Sequence, residues 1–297
     1  MDPAKLSDLI SDWADEGVTS FKVYENNNRA ELNVVIDVAH KRRLKVTAHL
    51  CAVGFSEAAQ AGIDNLEHGL AVDTEFFSGK KTDQCPDRSE WLPALADTDI
   101  DSAAVQAMIR ELIDHKVAVT STLAIFEAFV SEKFRLDPRM PDVLSDDAYN
   151  DCVAHVGAGK NDLRGSRVWE RVLKMEMEFE LEFAKSGGLL MAGVDPTGWG
   201  GVVAGFGDQR NVELLVETGF SPEEAIRIAT LNGATFLGEA DRIGTLAPGK
   251  QGDIMIVRAN PAANIAEIRN VQVIFKDGVG YDPEKLIESV RGLVGVK

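Results

Sequence analysis

Four residues whose side chains can bind metal ions or move protons stand at the ends of predicted strands. Lys22 lies in SFKVYENN, His49 in KVTAHL, His68 in DNLEHG and Asp195 in LLMAGVDP. Neutral imidazole is the commonest nitrogen ligand of zinc, and a carboxylate can bind a metal or accept a proton from water. These residue types at strand ends therefore indicate hydrolytic chemistry at a divalent metal ion.

Each of these residues also has an ordinary structural explanation. A single histidine at a strand end more often serves as a hydrogen-bonding residue, but His49 and His68 follow apolar runs in consecutive strand–helix units, which favours a shared role. Lys22, within an apolar strand, would tend to lose its proton, and a neutral amine can capture carbon dioxide as a carbamate that bridges two metals. It could instead extend into solvent or pair with Glu25. Asp195 precedes a proline and could be a helix cap or a turn residue.

The elements that must position these side chains alternate between strand and helix, which is typical of parallel sheets built from βα units. Strands are predicted at 19–24, 45–50, 63–67, 117–125 and 189–194. Helices are predicted at 29–43, 56–61, 101–115, 168–185, 209–218, 222–236 and 283–293, with non-periodic polar segments at 71–98 and 127–165. The spacings from Lys22 to His49 and from His49 to His68 each match one βα step, so these side chains should emerge side by side at the carboxyl ends of their strands.

The composition changes after residue 238, where glycine-rich turns and short strands replace the βα pattern. We predict an α/β protein in which residues 1–238 form an incomplete (β/α)8 TIM-type barrel of about five βα units. Residues 239–297 are predicted to form a small C-terminal β-structure, part of a β-sandwich, with a terminal helix. Because a complete barrel has eight strands, three strands are expected to be missing from this chain.

The overall composition limits the partners and the compartment. The chain has 297 residues, 45% of them hydrophobic, and a net charge of -17, which repels nucleic acid and anionic membranes and attracts divalent cations. The three cysteines form no CxxC pair, and their odd number predicts plain thiols in a reducing compartment, hence a cytoplasmic protein. No leader or membrane-spanning pattern is present, although a signal peptide could have been lost with a missing N-terminus.

Longer segments carry a resemblance to a known family. The sequence DPTG at residue 195, the segment ELLVETGFSPEEAIRIATLNGA at 213–234 and IGTLAPGKQGDI at 243–254 resemble the C-terminal portion of metal-dependent amidohydrolases of the imidazolonepropionase-like and Xaa-Pro dipeptidase-like group. The resemblance implies a (β/α)8 barrel with a β-sandwich built from both chain ends. It also implies Lys22 as a carboxylated lysine bridging two metals, His49 and His68 as ligands of the second metal, and Asp195 as a ligand of the first metal and the general base.

The same resemblance implies a reaction and its limits. The expected function is hydrolysis of C–N bonds in small amides, cyclic amides or N-acyl amino acids by water activated on a divalent metal, most simply zinc. The family's first metal also needs a His-x-His pair, and this chain has none. Two metals are therefore expected in an intact relative and one or none here. The alternative is a truncated amidohydrolase remnant that is weak or inactive without its missing strands, and unpaired strand edges predict self-association or a complementing chain.

Overall fold

The computed structural model describes residues 2–130, 136–161 and 163–295. The strands are β1 (Ser20–Val23), β2 (Lys45–Ala48), β3 (Asn65–Glu67), β4 (Ala118–Ser121), β5 (Leu190–Ala192), β6 (Ile254–Val257), β7 (Val271–Lys276) and β8 (Val279–Tyr281). The helices are α1 (Pro3–Asp15), α2 (Arg29–Lys41), α3 (Phe55–Ala61), α4 (Arg88–Leu95), α5 (Ala103–Asp114), α6 (Leu123–Ala128), α7 (Met140–Val143), α8 (Asp146–Asn161), α9 (Leu163–Lys185), α10 (Phe206–Thr218), α11 (Pro222–Arg227), α12 (Gly233–Phe236) and α13 (Pro283–Ser289). Short 3-10 turns occur at Gly69–Val72 and Ile265–Arg269, and a π-helical turn at Ile228–Asn232 lies between α11 and α12.

Strands β1 to β5 form one sheet in the order of the chain. The pairs β1–β2, β2–β3 and β3–β4 are parallel, with Lys22 opposite Thr47 and Thr47 opposite Asn65. In such an arrangement the carboxyl ends of successive strands meet at one edge, so residues that follow neighbouring strands become neighbours in space. The predicted α/β class with a parallel five-stranded sheet is confirmed, and in the part of the chain that the structure describes the sheet has two ends, β1 and β5.

The βα units form where the sequence combines periodicity with capping signals. In β2, Val46 and Ala48 are fully buried while the alternate residues are half-buried, which is the period-two pattern of a strand with two unlike faces. Helix α2 begins with a capping box, in which Asn28 accepts from the Glu31 N–H at 2.9 Å and Glu31 accepts from the Asn28 N–H at 3.2 Å. Its buried face comprises Leu32, Val35, Ile36, Val38 and Ala39. The predicted strands and helices of these units are thus present.

The two segments that lack periodicity in the sequence contain helices as well as loops. Helix α4 begins at an Asp87 cap within 71–98, and α8 spans much of 127–165. The prediction of irregular structure there was wrong, because packing stabilises helices that the sequence pattern does not mark. The buried residues that stabilise this region are Met140, Val143, Leu144, Ala148, Cys152 and Val203. Residues 131–135, which the same prediction covered, lie outside the described chain.

The chain divides into two compact units. Residues 1–121 and 171–190 form the first unit, and residues 122–170 and 191–297 form the second. The first unit contains β1 to β4 and the helices between them, and the second contains an antiparallel sheet in the order β6-β7-β8. No helix in the described ranges has the length and apolar character that crossing a bilayer requires.

Two of the three cysteines are paired, which corrects a prediction from the sequence. Cys51 and Cys85 form a disulfide with their Cα atoms 5.0 Å apart, whereas Cys152 is a buried thiol. The odd number of cysteines and the absence of a short motif gave no sign of this bond, because a disulfide depends on distance in space and its partners are 34 residues apart. Since disulfides are rare in the cytosol, the predicted cytoplasmic location loses the support that free thiols would have given it.

Candidate active site

His49 and His68 meet at the carboxyl edge of the sheet in the first unit. Each directly follows its strand and keeps a hydrogen bond to the neighbouring strand: the His49 N–H donates to the Val23 carbonyl at 3.0 Å, and the His68 N–H donates to the Thr120 carbonyl at 3.1 Å. The two imidazole rings have centroids 4.5 Å apart and an edge-on angle of 67°. The parallel register therefore brings together two side chains that are 19 residues apart in sequence.

Lys22 lies beside the same pair but in a different environment from the one predicted. Its side chain is 41% exposed and its ammonium group forms an ion pair with the Glu67 carboxylate. The prediction of a buried lysine was wrong, and so was the alternative partner, since Glu25 instead lies 3.3 Å from His49 Nε2. Glu67 Oε2 is also 3.8 Å from His68 Nε2. Glu67 therefore lies between Lys22 and His68, a position that the sequence did not reveal.

A ladder of polar side chains runs across four strands below the histidines. The Thr120 hydroxyl donates to Asn65 Oδ1 at 3.0 Å, the Asn65 amide donates to Thr47 Oγ1 at 2.8 Å, and the Thr47 hydroxyl donates to Glu67 Oε1 at 2.8 Å. Lys22 closes the ladder through its ion pair with Glu67. Because each donor has a defined acceptor, the carboxylate of Glu67 is held in one orientation.

Burial determines the protonation of His68. Its side chain is only 3% exposed, and this burial, opposed by the negative charge of Glu67 and assisted by the positive charge of Lys22, lowers the pKa of His68 to about 4. The ring is therefore neutral at physiological pH and keeps a lone pair for a ligand. His49, in contact with the Tyr24 ring at a centroid distance of 4.8 Å, is more accessible. The pair thus combines one buried base with one that a ligand can approach.

Asp195 belongs to the second unit and is exposed. It follows β5 by three residues and has φ near 50°, a left-handed conformation that aspartate tolerates better than most residues. The helix after it begins at Phe206 with a Gly205 cap, so Asp195 is not the helix cap that the sequence left open. The following turn is fixed by Thr197, whose hydroxyl accepts from the Val202 N–H at 3.0 Å.

The side chains at this edge of the sheet include residue types that bind divalent metals. Two imidazoles, one of them held neutral, together with the Glu67 carboxylate are ligand types that suit zinc. Within the described residues, however, no three His, Cys, Asp or Glu side chains are grouped closely enough to hold an ion. His49 and His68 are therefore ligand types that a divalent metal accepts, but among the described residues no third His, Cys, Asp or Glu is close enough to complete a site with them.

A cavity of about 240 Å³ lies within the second unit and is built differently. Its lining includes Leu136, Asp137, Met140, Phe206, Arg210 and Arg269. Arg210 contacts both oxygens of Glu127 at 2.6 and 2.8 Å and Glu213 at 3.0 Å, and Arg269 contacts Glu213 at 2.6 Å. Burial opposes the positive charge, but the hydrogen bonds that Arg210 donates to Glu127 and Glu217 raise its pKa further above the usual range. These paired charges indicate a structural network, which we call the arginine network.

Sequence reasoning missed the polar residues of the ladder and the role of Glu67. A signal was present, since Asn65 and Glu67 alternate with the buried Leu66 and so must point to one face of β3. The register of the strands decides which side chain of the neighbouring strand lies against that face. The ion pair between Glu67 and Lys22 could therefore be identified only from the structure.

Part of this chain is similar in sequence to known proteins. Residues 186–279 match the amidohydrolase family. This chain is 32% identical over 74 residues to "Adenine deaminase 2" of Jannaschia sp. (strain CCS1), covering 25% of this chain and 12% of that protein. It is 48% identical over 40 residues to an imidazolonepropionase of Porphyromonas gingivalis, covering 14% of this chain and 10% of that protein.

The likeness in structure is broader. A crystal structure of a Xaa-Pro dipeptidase with bound methionine in the active site superposes with a TM-score of 0.62 at 19% identity, covering 94% of this chain and 58% of that chain. This chain thus spans less than two thirds of the length of that relative, and the curated matches cover about a tenth of theirs. The sequence resemblance to amidohydrolases is confirmed, and the structural likeness shows the shared fold.

Proposed function

We propose that this chain is part of a metal-dependent hydrolase of C–N bonds, acting on small amides, cyclic amides or N-acyl amino acid derivatives. The observation that carries the proposal is the contact between His49 and His68 at the ends of adjacent parallel strands. The amidohydrolase match and the names of the relatives, which are deaminase, imidazolonepropionase and dipeptidase, support the reaction class.

In this proposal each side chain has a separate task. His49 and His68 would hold a divalent metal, zinc by the nature of the ligands, and Lys22 would join them as a carbamate. When bound, such an ion lowers the pKa of water and polarises a carbonyl group. Glu67, fixed by Thr47, pairs with the ammonium form of Lys22, and this ion pair would be given up when the carbamate forms. Asp195 would accept a proton from the attacking water and return it to the leaving nitrogen.

The wider architecture is proposed on the same basis. We infer that the five-stranded sheet is part of a (β/α)8 barrel and that further strands pair with it. In the described chain β1 pairs with β2 alone, so its other edge offers free backbone donors and acceptors to a partner strand. A complementing chain or a second copy would supply that strand, and the ligand of the completed site would be a small molecule.

The proposal is tested first with Asp195→Asn. The amide cannot accept the proton, so turnover of an amide or N-acyl amino acid panel by the zinc-loaded, partner-completed protein should fall by at least about 100-fold, the lower end for general base catalysis. Asp241→Asn, which removes an exposed carboxylate in a turn of the same unit, is the matched control and should leave turnover unchanged.

Metal analysis of the same samples separates the possible outcomes. Metal retained by Asp195→Asn together with lost turnover supports the base assignment. Full turnover in Asp195→Asn excludes Asp195 as the base, and absence of bound metal in a fully active wild-type protein contradicts the proposed chemistry as a whole.

A further inference from the structure

The backbone directly after His68 has an unusual conformation. His68 has φ near 71° and ψ near 4°, and Gly69 has φ near 57°, so two successive residues are left-handed. For a residue with a side chain this costs on the order of 1 kcal/mol. The 3-10 turn Gly69–Val72 that follows is fully buried. Surrounding groups must therefore hold the turn in place, and with it the direction of the His68 ring.

Glu176 of α9 is the group that lies against this turn. Its Oε2 atom accepts from the Ala71 N–H at 2.7 Å. Its Oε1 atom lies so close to Gly69 that an added Cβ would stand 1.7 Å from it. Any side chain at position 69 would displace the carboxyl group, so the glycine and the glutamate fit only together.

A second buried carboxyl group lies near the first on α9. Glu180 is one helical turn after Glu176, and both are fully buried. Burial and the negative charge of Glu180 raise the pKa of Glu176, while the Ala71 N–H opposes the shift. Burial likewise raises the pKa of Glu180 to about 8. The neutral form of Glu176 is therefore favoured, and its Oε2 atom accepts the Ala71 N–H.

We propose that Glu176 is a positioning residue for His68: its carboxyl group holds the Gly69–Ala71 backbone and thereby directs the His68 imidazole toward His49 and Glu67. The reason for holding His68 in place rests on the proposed function, whereas the contact of Glu176 with the backbone does not depend on it. Glu176 is more than 100 positions from His68 in the sequence, and it would not contact the metal that His68 is proposed to bind.

The chemistry of the contact predicts which substitutions preserve it. Glutamine has nearly the same shape as glutamate and keeps an oxygen to accept from Ala71, so Glu176→Gln should retain the turn. Methionine has nearly the same volume but no acceptor comparable to a carboxyl oxygen, so Glu176→Met should release it. Glu180→Met is the matched control, because it removes a carboxyl group of equal burial from the same helix but leaves the Ala71 hydrogen bond intact.

The experiment uses the full chain without metal. Nuclear Overhauser contacts between the ring protons of His49 and His68, and the ring nitrogen shifts of His68, report the geometry directly. We expect the contact to weaken or vanish and the shifts to change in Glu176→Met, and both to remain as in the wild type in Glu176→Gln and Glu180→Met. Equal changes in Glu176→Met and Glu180→Met, or none in Glu176→Met, would overturn the assignment.

Two further measurements test the Ala71 hydrogen bond and the proposed metal binding separately. If Glu176→Met does not fold, hydrogen exchange of the wild-type Ala71 amide decides the question, since the hydrogen bond requires protection and a freely exchanging amide refutes it. Zinc titration tests the proposed function separately. We expect Glu176→Met to weaken zinc binding by about 10–100-fold, as loss of support for a ligand does. If zinc leaves the His68 signals of the wild type unchanged, the metal proposal fails while the metal-free spectra still decide the role of Glu176.

Discussion

The buried polar groups of the two units are neutralised in opposite ways. In the first unit, His68, Glu176 and Glu180 are buried, and the shifts in their pKa values favour the neutral forms. In the second unit, the buried Glu213 is paired with Arg210 and Arg269. The arginine network carries more charge, yet its charges are compensated. Incomplete compensation of charge, which leaves a base or an acid available, therefore marks candidate chemistry better than the number of charged residues does.

The largest expected effect is loss of stability on breaking the arginine network. Arg210→Met leaves Glu127, which is 13% exposed, without its bidentate partner, and removing one partner of a buried pair costs about 3 kcal/mol or more. Urea unfolding should show this loss while the ring contact of His49 and His68 persists. Arg88→Met, which removes a guanidinium that is 62% exposed, is the control and should change little. A larger loss in Arg88→Met would reverse the comparison.

The next effect concerns the histidines. His68→Gln should reduce zinc affinity by more than about 100-fold, the upper end for residues that only support ligands, because an amide cannot replace the imidazole lone pair. Isothermal titration of the oxidised protein measures it. His155→Gln, which removes a ring stacked on Trp199 in the second unit, should bind zinc as the wild type does. Unchanged affinity in His68→Gln would remove His68 from the site.

A smaller effect is a dependence of stability on pH that arises in the first unit. Glu180 has a folded pKa of about 8 against 4.5 for an unperturbed glutamate, so the folded state holds the extra proton and stability falls as pH rises toward 8. His68, whose folded pKa is about 4 against 6.5, acts in the opposite direction only below about pH 6.5. Between pH 6.5 and 8 the free energy of unfolding should therefore decline by about 1–2 kcal/mol.

The matched variant for this pH effect is Glu176→Gln/Glu180→Gln. Its two amides stay uncharged at all pH values and have nearly the same shape as the carboxyl groups that they replace. Chemical denaturation at several pH values should give a flat profile above pH 6.5 for the double variant. A decline as steep as in the wild type would place the titrating group elsewhere, for example at Asp73, whose pKa is also raised by burial.

The smallest effect is expected for the exposed ion pair. Lys22→Met removes the partner of Glu67, but with the lysine 41% exposed the loss should stay below about 1 kcal/mol. Thermal or urea unfolding measures it. A loss as large as that of Arg210→Met would mean that Lys22 is held as tightly as the arginine network, and the contrast between the units would fail.

The sequence predicted more of the framework than of the site. Period-two burial and capping signals such as Asn28 and Glu31 are local, so the βα units and the meeting of His49 with His68 could be inferred from residue spacing. The ion-pair partner of Lys22 could not be inferred in this way, because Glu67 and Glu25 have the same side chain and only the register of the strands decides which of them contacts Lys22. Glu176 was invisible for the same reason, since its contact with Ala71 joins elements 105 residues apart.

The Cys51–Cys85 disulfide has a consequence for how any zinc measurement on this protein must be prepared. Cys51 lies two residues after His49, and its carbonyl accepts from the Thr74 hydroxyl at 2.7 Å. The disulfide is therefore close to His49 along the chain. A reducing buffer converts it into two thiols, and thiolates bind zinc in preference to most protein ligands. Zinc counted in a reduced sample would report sulfur coordination. The oxidised sample isolates the imidazoles, and the difference between the two preparations counts the ions that the thiols capture.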